Sequence, residues 1–538
     1  MTAQKDDVDP LDTTSAWVLD TTDESGWETI RRAYANGNRV EPLEQLIRLA
    51  KGHGVKSILV ERRYVDPDWR SMCAKFYGSL FQRYSPTCHR LHLFSEIVRK
   101  DDNLSRHDAA YKGFTVLRPI PSHPVGRTMI RPPAGLTRTA YCLATETVRP
   151  LGYPLRVEAM PFMSQDAEYL RCSHVVQWMV LYHAHLLRGF ARRLPAEIHL
   201  RSQGGYVVGR QVPSVGLSMP QMLSSLDALG LSPATVVLPS GGIEKSRARG
   251  GGSLPATLCR YVNSQMPPIV LSENHAWVVV GHRTLESRSD HDAVSLFIHD
   301  DMRGPYLEIT NPWEEMGQEP LATTDETKGP TPPTRNDPGL SWSIAVPPLP
   351  QRVNLSADRA EIVGKIAIMR VAERDPVSGH LRAAFEAKRL TYRTYAIRSN
   401  EFKATLQARG LPRALCDLYR YANWPGFIWV VEVLDRTQFE RGEACVFGEA
   451  VIDSTATHVV SSRSRSAWPA RGVLAVHVPG KAAIADEADQ PGRDPLDLRD
   501  TNVPDRDPPE PLKQSLDLTL EQQDEPRYYP SGCATGNW

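Results

Sequence analysis

The chain has 538 residues, 41% of them hydrophobic, so it is long enough to form about three folded domains. Basic and acidic residues balance at 63 each, which excludes a strong overall charge for binding nucleic acid or an anionic membrane. No apolar run is long enough to span a bilayer, and the first residues lack the apolar core of a signal peptide. We therefore expect a cytoplasmic protein without a nucleic-acid or membrane partner.

The first folded region is expected over residues 23–140, after a polar and acidic segment, 1–22, that we predict to be disordered. Residues 57–61 and 113–118 have the apolar pattern of strands. Asp66 followed by Pro67 predicts the start of a helix, because an acidic cap and an early proline suit the first turn. This region therefore has the pattern of a small α/β domain.

The second region, residues 141–350, contains the residues that suggest chemistry. A helix is predicted to begin at Cys172, and another between the cap Ser218 and the stop signal Gly230. Short strands are predicted at 234–238 and 268–271, and an antiparallel pair is predicted from the apolar runs 276–280 and 294–298. We predict that residues 241–252, which are rich in glycine and arginine, form a loop. They lack a phosphate-binding motif, so phosphate binding is not expected there. Residues 317–339 are predicted to form a proline-rich insertion.

The third region, residues 351–480, again has the pattern of an α/β domain. Helices are predicted at 357–370 and 399–409, and strands at 427–433, 444–452 and 472–478. Beyond residue 480 the chain is rich in Asp and Pro and poor in apolar residues. We predict that the tail, 481–538, is disordered, and it could bind a protein partner or lie in the active site as a pseudo-substrate.

Four residues in the second region have the properties of a nucleophilic active site. Cys172 stands at a helix start, where the backbone dipoles favour an anion. His275 begins one strand of the antiparallel pair and Asp300 ends the other, which suits a base and the group that orients it. Gln165 lies upstream of the cysteine as a candidate oxyanion donor. Each residue also has a purely structural explanation, so the prediction depends on their combination.

Residues 155–312 resemble the papain-like cysteine peptidases, and most closely the double-glycine leader peptidases that process bacteriocins. The resemblance is carried by Gln165, by Cys172, by His275 before Val278-Val-Val-Gly281, and by Asp300 before Gly304. It implies an α+β fold in which a helix carries the cysteine and an antiparallel sheet carries the histidine and aspartate. It also implies a cysteine peptidase that cleaves peptide or protein substrates through a thioester intermediate, without a cofactor or metal.

Two departures from this family pattern keep another function open. Arg171 and Ser173 stand where the family has an acidic residue and a glycine, and no transporter domain follows. A catalytically degenerate papain-like scaffold is therefore one alternative. Asp301 is the reserve candidate for the orienting carboxylate, because it is adjacent to Asp300.

A metal-dependent hydrolase is the second alternative. Its ligands would come from a dense set of imidazole and carboxylate groups that lacks a recognised metal-binding spacing. The members of this set are His275, His282, His291, His299, Asp300 and Asp301. The eight cysteines also lack the paired spacing of a disulfide framework or a zinc cluster, so free thiols in a reducing compartment are expected.

Overall fold

The computed structural model describes most of the three predicted regions. The described residues are 16–202, 216–237, 254–272, 275–284, 294–310, 344–373, 389–441, 443, 446–456, 472–478, 481–484 and 515–517. The predicted glycine-rich loop, 241–252, the proline-rich insertion, 317–339, and most of both predicted disordered ends lie outside these residues. Among the described residues, no helix is both long and apolar enough to cross a membrane.

The prediction of a mixed α+β fold is confirmed at that level. The described residues form eleven α-helices: α1 Glu24–Ala35, α2 Glu41–Gly52, α3 Pro67–Lys75, α4 Cys172–Arg188, α5 Pro195–Arg201, α6 Met219–Ala228, α7 Leu254–Asn263, α8 Ala357–Glu373, α9 Ser399–Thr405, α10 Arg413–Tyr421 and α11 Arg436–Arg441. Three short 3₁₀ helices add to them: Tyr77–Ser79, Leu104–His107 and Pro150–Gly152.

The N-terminal region forms a five-stranded antiparallel sheet in sequential order. Its strands are β1 Ala16–Asp20, β2 Ser57–Tyr64, β3 Cys88–Phe94, β4 Tyr111–Leu117 and β5 Val125–Ile130. Asp66 caps α3 as predicted, since its side chain accepts the N–H groups of Asp68 and Trp69. The prediction that residues 1–22 are disordered is wrong for β1, whose apolar residues extend the sheet by pairing with β2.

The second sheet, here the central sheet, has the order β10-β15-β11-β12-β13-β14, with β6 also paired to β12. Its strands are β6 Thr139–Tyr141, β10 Val236–Val237, β11 Ile269–Leu271, β12 Ala276–Thr284, β13 Val294–Asp300, β14 Gly304–Ile309 and β15 Ile344–Val346. Two small ribbons accompany it: β7 Ala144–Val148 with β8 Leu155–Ala159, and β9 Leu231–Pro233 with β16 Pro348–Pro350. The predicted antiparallel pairing of β12 with β13 is confirmed.

The third sheet is built from the C-terminal region and is also antiparallel in sequential order. Its strands are β17 Leu390–Arg398, β18 Phe427–Asp435, β19 Val446–Asp453, β20 Val473–Val478, β21 Lys481–Ile484 and β22 Ser515–Asp517. The last two strands contradict the prediction of disorder over 481–538, because they add backbone hydrogen bonds at the open edge beyond β20.

The hydrophobic core joins the first two regions. One cluster of buried apolar side chains runs from Trp27 to Val346, so the N-terminal sheet, α4 and the central sheet share it. The predicted boundary between residues 140 and 141 falls inside β6, which pairs with β12. Two further clusters contain most of the buried apolar residues of the third sheet.

Helix α4 lies deep in the shared core. Residues 173–184 are all buried, and the helix packs against β12 of the central sheet. An α-helix that is apolar on nearly all sides is stable only when other elements enclose it. The N-terminal end of α4 is therefore held rigidly beside the sheet that carries the other candidate catalytic residues.

A buried ion-pair network fixes α4 to the N-terminal sheet. Arg127, 4% exposed, lies 3.1 Å from Asp66 and 2.6 Å from Glu146, and it donates hydrogen bonds to the hydroxyls of Tyr64 and Tyr182. We expect Arg127→Met to lower the free energy of unfolding by about 3–5 kcal/mol, because it leaves two buried carboxylates without their cation. Urea denaturation monitored by circular dichroism measures this loss.

The matched control is Arg32→Met on the surface of α1. Arg32 pairs with Glu28 at 3.3 Å, but its side chain is 76% exposed. Exposed pairs of this kind contribute at most about 1 kcal/mol, so the control should unfold close to the wild-type midpoint. Equal losses in the two variants would contradict the structural role given to the Arg127 network.

Candidate active site

The candidate nucleophile is the first residue of α4. Cys172 is a free, partly exposed thiol, and Arg171 before it is extended, with φ −97° and ψ 171°. The backbone N–H of Arg171 donates to His174 Nδ1 at 3.3 Å, which closes the cap of the helix. The first N–H groups of a helix have no partners within it and favour negative charge nearby. The position predicted for Cys172 is therefore the one observed.

The loop before Cys172 is fixed by two buried charged side chains. Asp166 Oδ1 accepts the backbone N–H groups of residues 168–170 at 2.8–3.0 Å. Arg118 donates from Nη2 to the carbonyl oxygens of Ser164 and Gln165, both at 3.1 Å. These bonds hold the backbone of the candidate oxyanion donor in one position relative to the start of α4.

The side chain of Gln165 forms no hydrogen bond with Cys172, His275 or Asp300, although the backbone of Gln165 is held in place. The residue is 7% exposed, and its side chain forms no hydrogen bond with the residues that the structure describes. Its amide group is therefore not consumed by the fold and is available to a ligand. The role of Gln165 as an oxyanion donor therefore stays a prediction.

Ser173, one of the departures from the family pattern, has a structural role. Its Oγ accepts the backbone N–H of Leu217 at 3.0 Å. Leu217 lies just before α6, where the predicted cap Ser218 forms a capping box with the N3 residue Gln221. The hydroxyl thus connects the start of α4 to the start of α6.

His275 lies directly before the first residue of β12. The backbone N–H of Ser272 donates to the His275 carbonyl at 2.9 Å, and the His275 N–H donates to Ser272 Oγ at 3.2 Å. The imidazole meets the ring of Trp277 edge-on, with centroids 5.0 Å apart. Backbone and ring contacts together set the direction of the imidazole.

Asp300 accepts a hydrogen bond from that imidazole, as predicted. The His275 Nε2–H donates to Asp300 Oδ1 at 3.1 Å, and the Trp277 Nε1–H donates to Oδ2 at 3.0 Å. The backbone N–H groups of Met302 and Arg303 also donate to Oδ1, at 2.9 and 3.2 Å. Four donors hold the carboxylate at the end of β13 and leave it little freedom to turn.

The turn after Asp300 is supported by the N-terminal region. Gly304 has φ +123°, and a Cβ there would lie 2.5 Å from the Cβ of Gln45 in α2. The Gln45 side chain donates to the Pro305 carbonyl at 3.0 Å. Only glycine can adopt this backbone conformation against the helix without strain, so α2 fixes the turn that presents Asp300.

The thiol of Cys172 lies close enough to the same His275 ring to raise the pKa of that ring. The structure therefore brings three of the four predicted residues together. Because Nε2 donates to the carboxylate, Nδ1 is the nitrogen left to accept a proton from the thiol. This is the connectivity of a nucleophile, a base and an orienting acid.

The charges around His275 favour its protonated form. Burial of the ring lowers its pKa. This effect is outweighed by the interactions of the ring with Asp300 and Cys172 and by the nearby charges of Asp301 and Asp300. The net result is a pKa raised to about 11. Burial raises the pKa of Asp300, but the hydrogen bond and charge of His275 outweigh it, so that pKa is lowered. These groups therefore stabilise the positive charge that the ring takes on when it accepts the Cys172 proton.

Asp301, the reserve orienting residue, is in a different state. Its Oδ1 lies 3.5 Å from His275 Nε2, but neither carboxylate oxygen has a hydrogen-bond partner among the described residues. Burial raises the pKa of this carboxyl to about 7, despite the opposing charge of His275. The geometry thus favours Asp300 as the orienting residue.

The ligand set of the proposed metal-dependent hydrolase does not assemble as a whole. His282 Nε2 lies 2.8 Å from Asn263 Oδ1, and His299 Nδ1 lies 3.2 Å from the Pro161 carbonyl. His291 lies outside the described residues. The remaining three place one ligand atom each within 4.8 Å of the others: His275, Asp300 and Asp301.

Three supporting residues were absent from the sequence prediction. Trp277 could have been found, because residues two apart on a strand share a face and its indole follows His275 at that spacing. Asp166 could have been found from its position before a turn. Arg118 had no local signal, since it is 46 residues from Ser164.

Comparison of the sequence with protein-family models and with curated proteins gives no match.

Proposed function

We propose that this chain is a cysteine hydrolase with a papain-like catalytic unit that cleaves peptide or protein substrates. The observation that carries the proposal is the position of His275, which lies beside the Cys172 thiol and donates to Asp300 at 3.1 Å. The order of the matching motifs supports the peptide preference. We also infer a cytoplasmic location, since the cysteines in the described part of the chain are free.

The reaction begins when the Cys172 sulfur attacks the substrate carbonyl carbon and its proton passes to His275 Nδ1. The tetrahedral intermediate collapses, the carbon–nitrogen bond breaks, and the amine leaves with the proton from His275. The product on the enzyme is a thioester. Water then attacks the thioester, with His275 again taking a proton, and the acid product and the free thiol are released. Asp300 holds the ring and stabilises its positive charge throughout.

The negative oxygen of each tetrahedral intermediate needs hydrogen-bond donors. The Cys172 backbone N–H lies in the first turn of α4, where no carbonyl of the helix can accept it. The uncommitted side-chain amide of Gln165 is the second donor that we propose. Donors of this kind accelerate the reaction because they are already oriented where the charge develops.

We expect Gln165→Ala to lower kcat by roughly 100- to 1000-fold, the usual cost of one oxyanion donor. The measurement is the release of p-nitrophenol from p-nitrophenyl acetate under saturating conditions. Alkylation of Cys172 by iodoacetamide is the internal control, because displacement of iodide creates no oxyanion and should proceed at nearly the wild-type rate. Loss of both reactions, or of neither, would contradict the role given to Gln165.

We expect hydrolysis to continue when metal ions are removed. The wild-type protein, dialysed against EDTA, should retain its activity on a quenched fluorescent peptide library, because the proposed reaction uses no metal. Mass spectrometry of the products should show cleaved peptide bonds rather than deamidated side chains or ligated peptides. Activity that disappears with EDTA and returns with Zn²⁺ would favour the metal-dependent hydrolase instead.

A further inference from the structure

The carboxylate of Asp301 is buried without the partners that such a group requires. The residue is 1% exposed, and both oxygens lack a hydrogen bond to any residue in the described part of the chain. A buried carboxylate without hydrogen bonds carries a large desolvation cost. The nearest cation is the imidazole of His275, at 3.5 Å. The proposed cysteine reaction gives Asp301 no task that offsets this cost.

The spacing around His275 Nε2 suits a small metal ion. Nε2 is 3.1 Å from Asp300 Oδ1 and 3.5 Å from Asp301 Oδ1. In a tetrahedral zinc site with bonds of about 2.0–2.2 Å, neighbouring ligand atoms are about 3.3–3.6 Å apart. The three ligand atoms all lie within 4.8 Å of one another, which is close enough for one ion to contact all of them.

We propose that His275, Asp300 and Asp301 bind a divalent transition metal ion, with Zn²⁺ as the best match, and that the bound ion switches off the cysteine chemistry. One imidazole and two carboxylates suit Zn²⁺, whereas Mg²⁺ and Ca²⁺ prefer oxygen ligands alone. The two carboxylates already concentrate negative charge at Nε2. His275 is 19% exposed at its side chain, which gives the ion a route from solvent.

The effect on catalysis follows from which nitrogen binds the ion. Coordination uses the Nε2 lone pair, so the single N–H proton of the neutral ring must move from Nε2 to Nδ1, and the hydrogen bond to Asp300 is broken. With that proton on Nδ1, this nitrogen has no lone pair left to accept the proton of Cys172. Metal binding does not depend on the proposed hydrolase function, whereas the inhibition that it causes does.

The test is a titration of the metal-free full chain with Zn²⁺, measured by competition with a chromophoric chelator. We expect wild type to bind one ion, Asp301→Asn to bind at least tenfold more weakly, and Cys172→Ala to bind as wild type. In parallel, Zn²⁺ should slow iodoacetamide alkylation of Cys172 in wild type at least tenfold. The same ion concentration should leave alkylation of the Asp301→Asn variant unchanged.

Two results would overturn the site. Wild type could fail to bind one equivalent of Zn²⁺, or Cys172→Ala could lose binding that Asp301→Asn keeps, which would place the ion on the thiol and imidazole. Co²⁺ gives a readout that needs no variant: we expect its wild-type complex to lack sulfur-to-cobalt charge-transfer absorption, and a strong band would contradict the site. If the protein bound zinc but had no hydrolase activity, the proposed function would be wrong, whereas the proposed metal site would be supported.

Discussion

Replacing Cys172 by alanine is expected to abolish hydrolysis, with a loss of at least about 10⁴-fold, because no other group at the site can form the thioester. The fold should persist, since the residue is partly exposed and alanine is favourable in a helix. The measurement is the rate of p-nitrophenyl acetate and peptide hydrolysis by wild type and variant. Circular dichroism and the thermal midpoint establish that the variant is folded.

Cys73 supplies the matched control for the nucleophile. It is a second free, partly exposed cysteine, and it lies on α3. Cys73→Ala should hydrolyse both substrates at nearly the wild-type rate. If Cys172→Ala retained more than a tenth of the activity, the catalytic assignment would be wrong and the scaffold alternative would be favoured.

Replacing His275 by alanine is expected to slow acylation by roughly 10³- to 10⁴-fold, the contribution of a well-placed general base. The thiol would remain but would lose the group that accepts its proton and later protonates the amine. Asp300 would keep its bonds from Trp277, Met302 and Arg303, so the turn should survive. Single-turnover kinetics with p-nitrophenyl acetate isolate the acylation step from deacylation.

His107 is the control for loss of an imidazole. Its side chain is 21% exposed, close to the 19% of His275, and its ring lies 3.0 Å from Glu96. His107→Ala should acylate as fast as wild type. An acylation rate for His275→Ala within tenfold of wild type would show that the thiol acts without this base.

The elements that carry the candidate site could be predicted from the sequence where the signals are local. Two apolar runs separated by a polar connection predict strands β12 and β13, and the position of His275 and Asp300 at their ends places the two side chains together. The start of α4 at Cys172 follows from the change to a helical apolar pattern. These features depend on short stretches of chain, so they can be read without the fold.

Other features depend on partners far along the chain. Arg118 fixes the loop of Gln165, and α2 supports the turn after Asp300 through Gln45, yet neither contact has a signature near the site. Strand β1 at one sheet edge, and β21 with the edge strand β22 at another, were missed because composition alone decided the prediction. Pairing with an existing sheet edge can order a segment that is too short or too polar to fold alone.

The most direct test of the central claim is detection of the acyl-enzyme. Wild-type protein, mixed with p-nitrophenyl acetate and quenched with acid, is analysed by intact mass and peptide mapping. We predict one hydroxylamine-sensitive acetyl group per chain, located on Cys172 and absent from Cys172→Ala. No adduct, or an adduct on Cys73 or Cys259 in place of Cys172, would contradict the account.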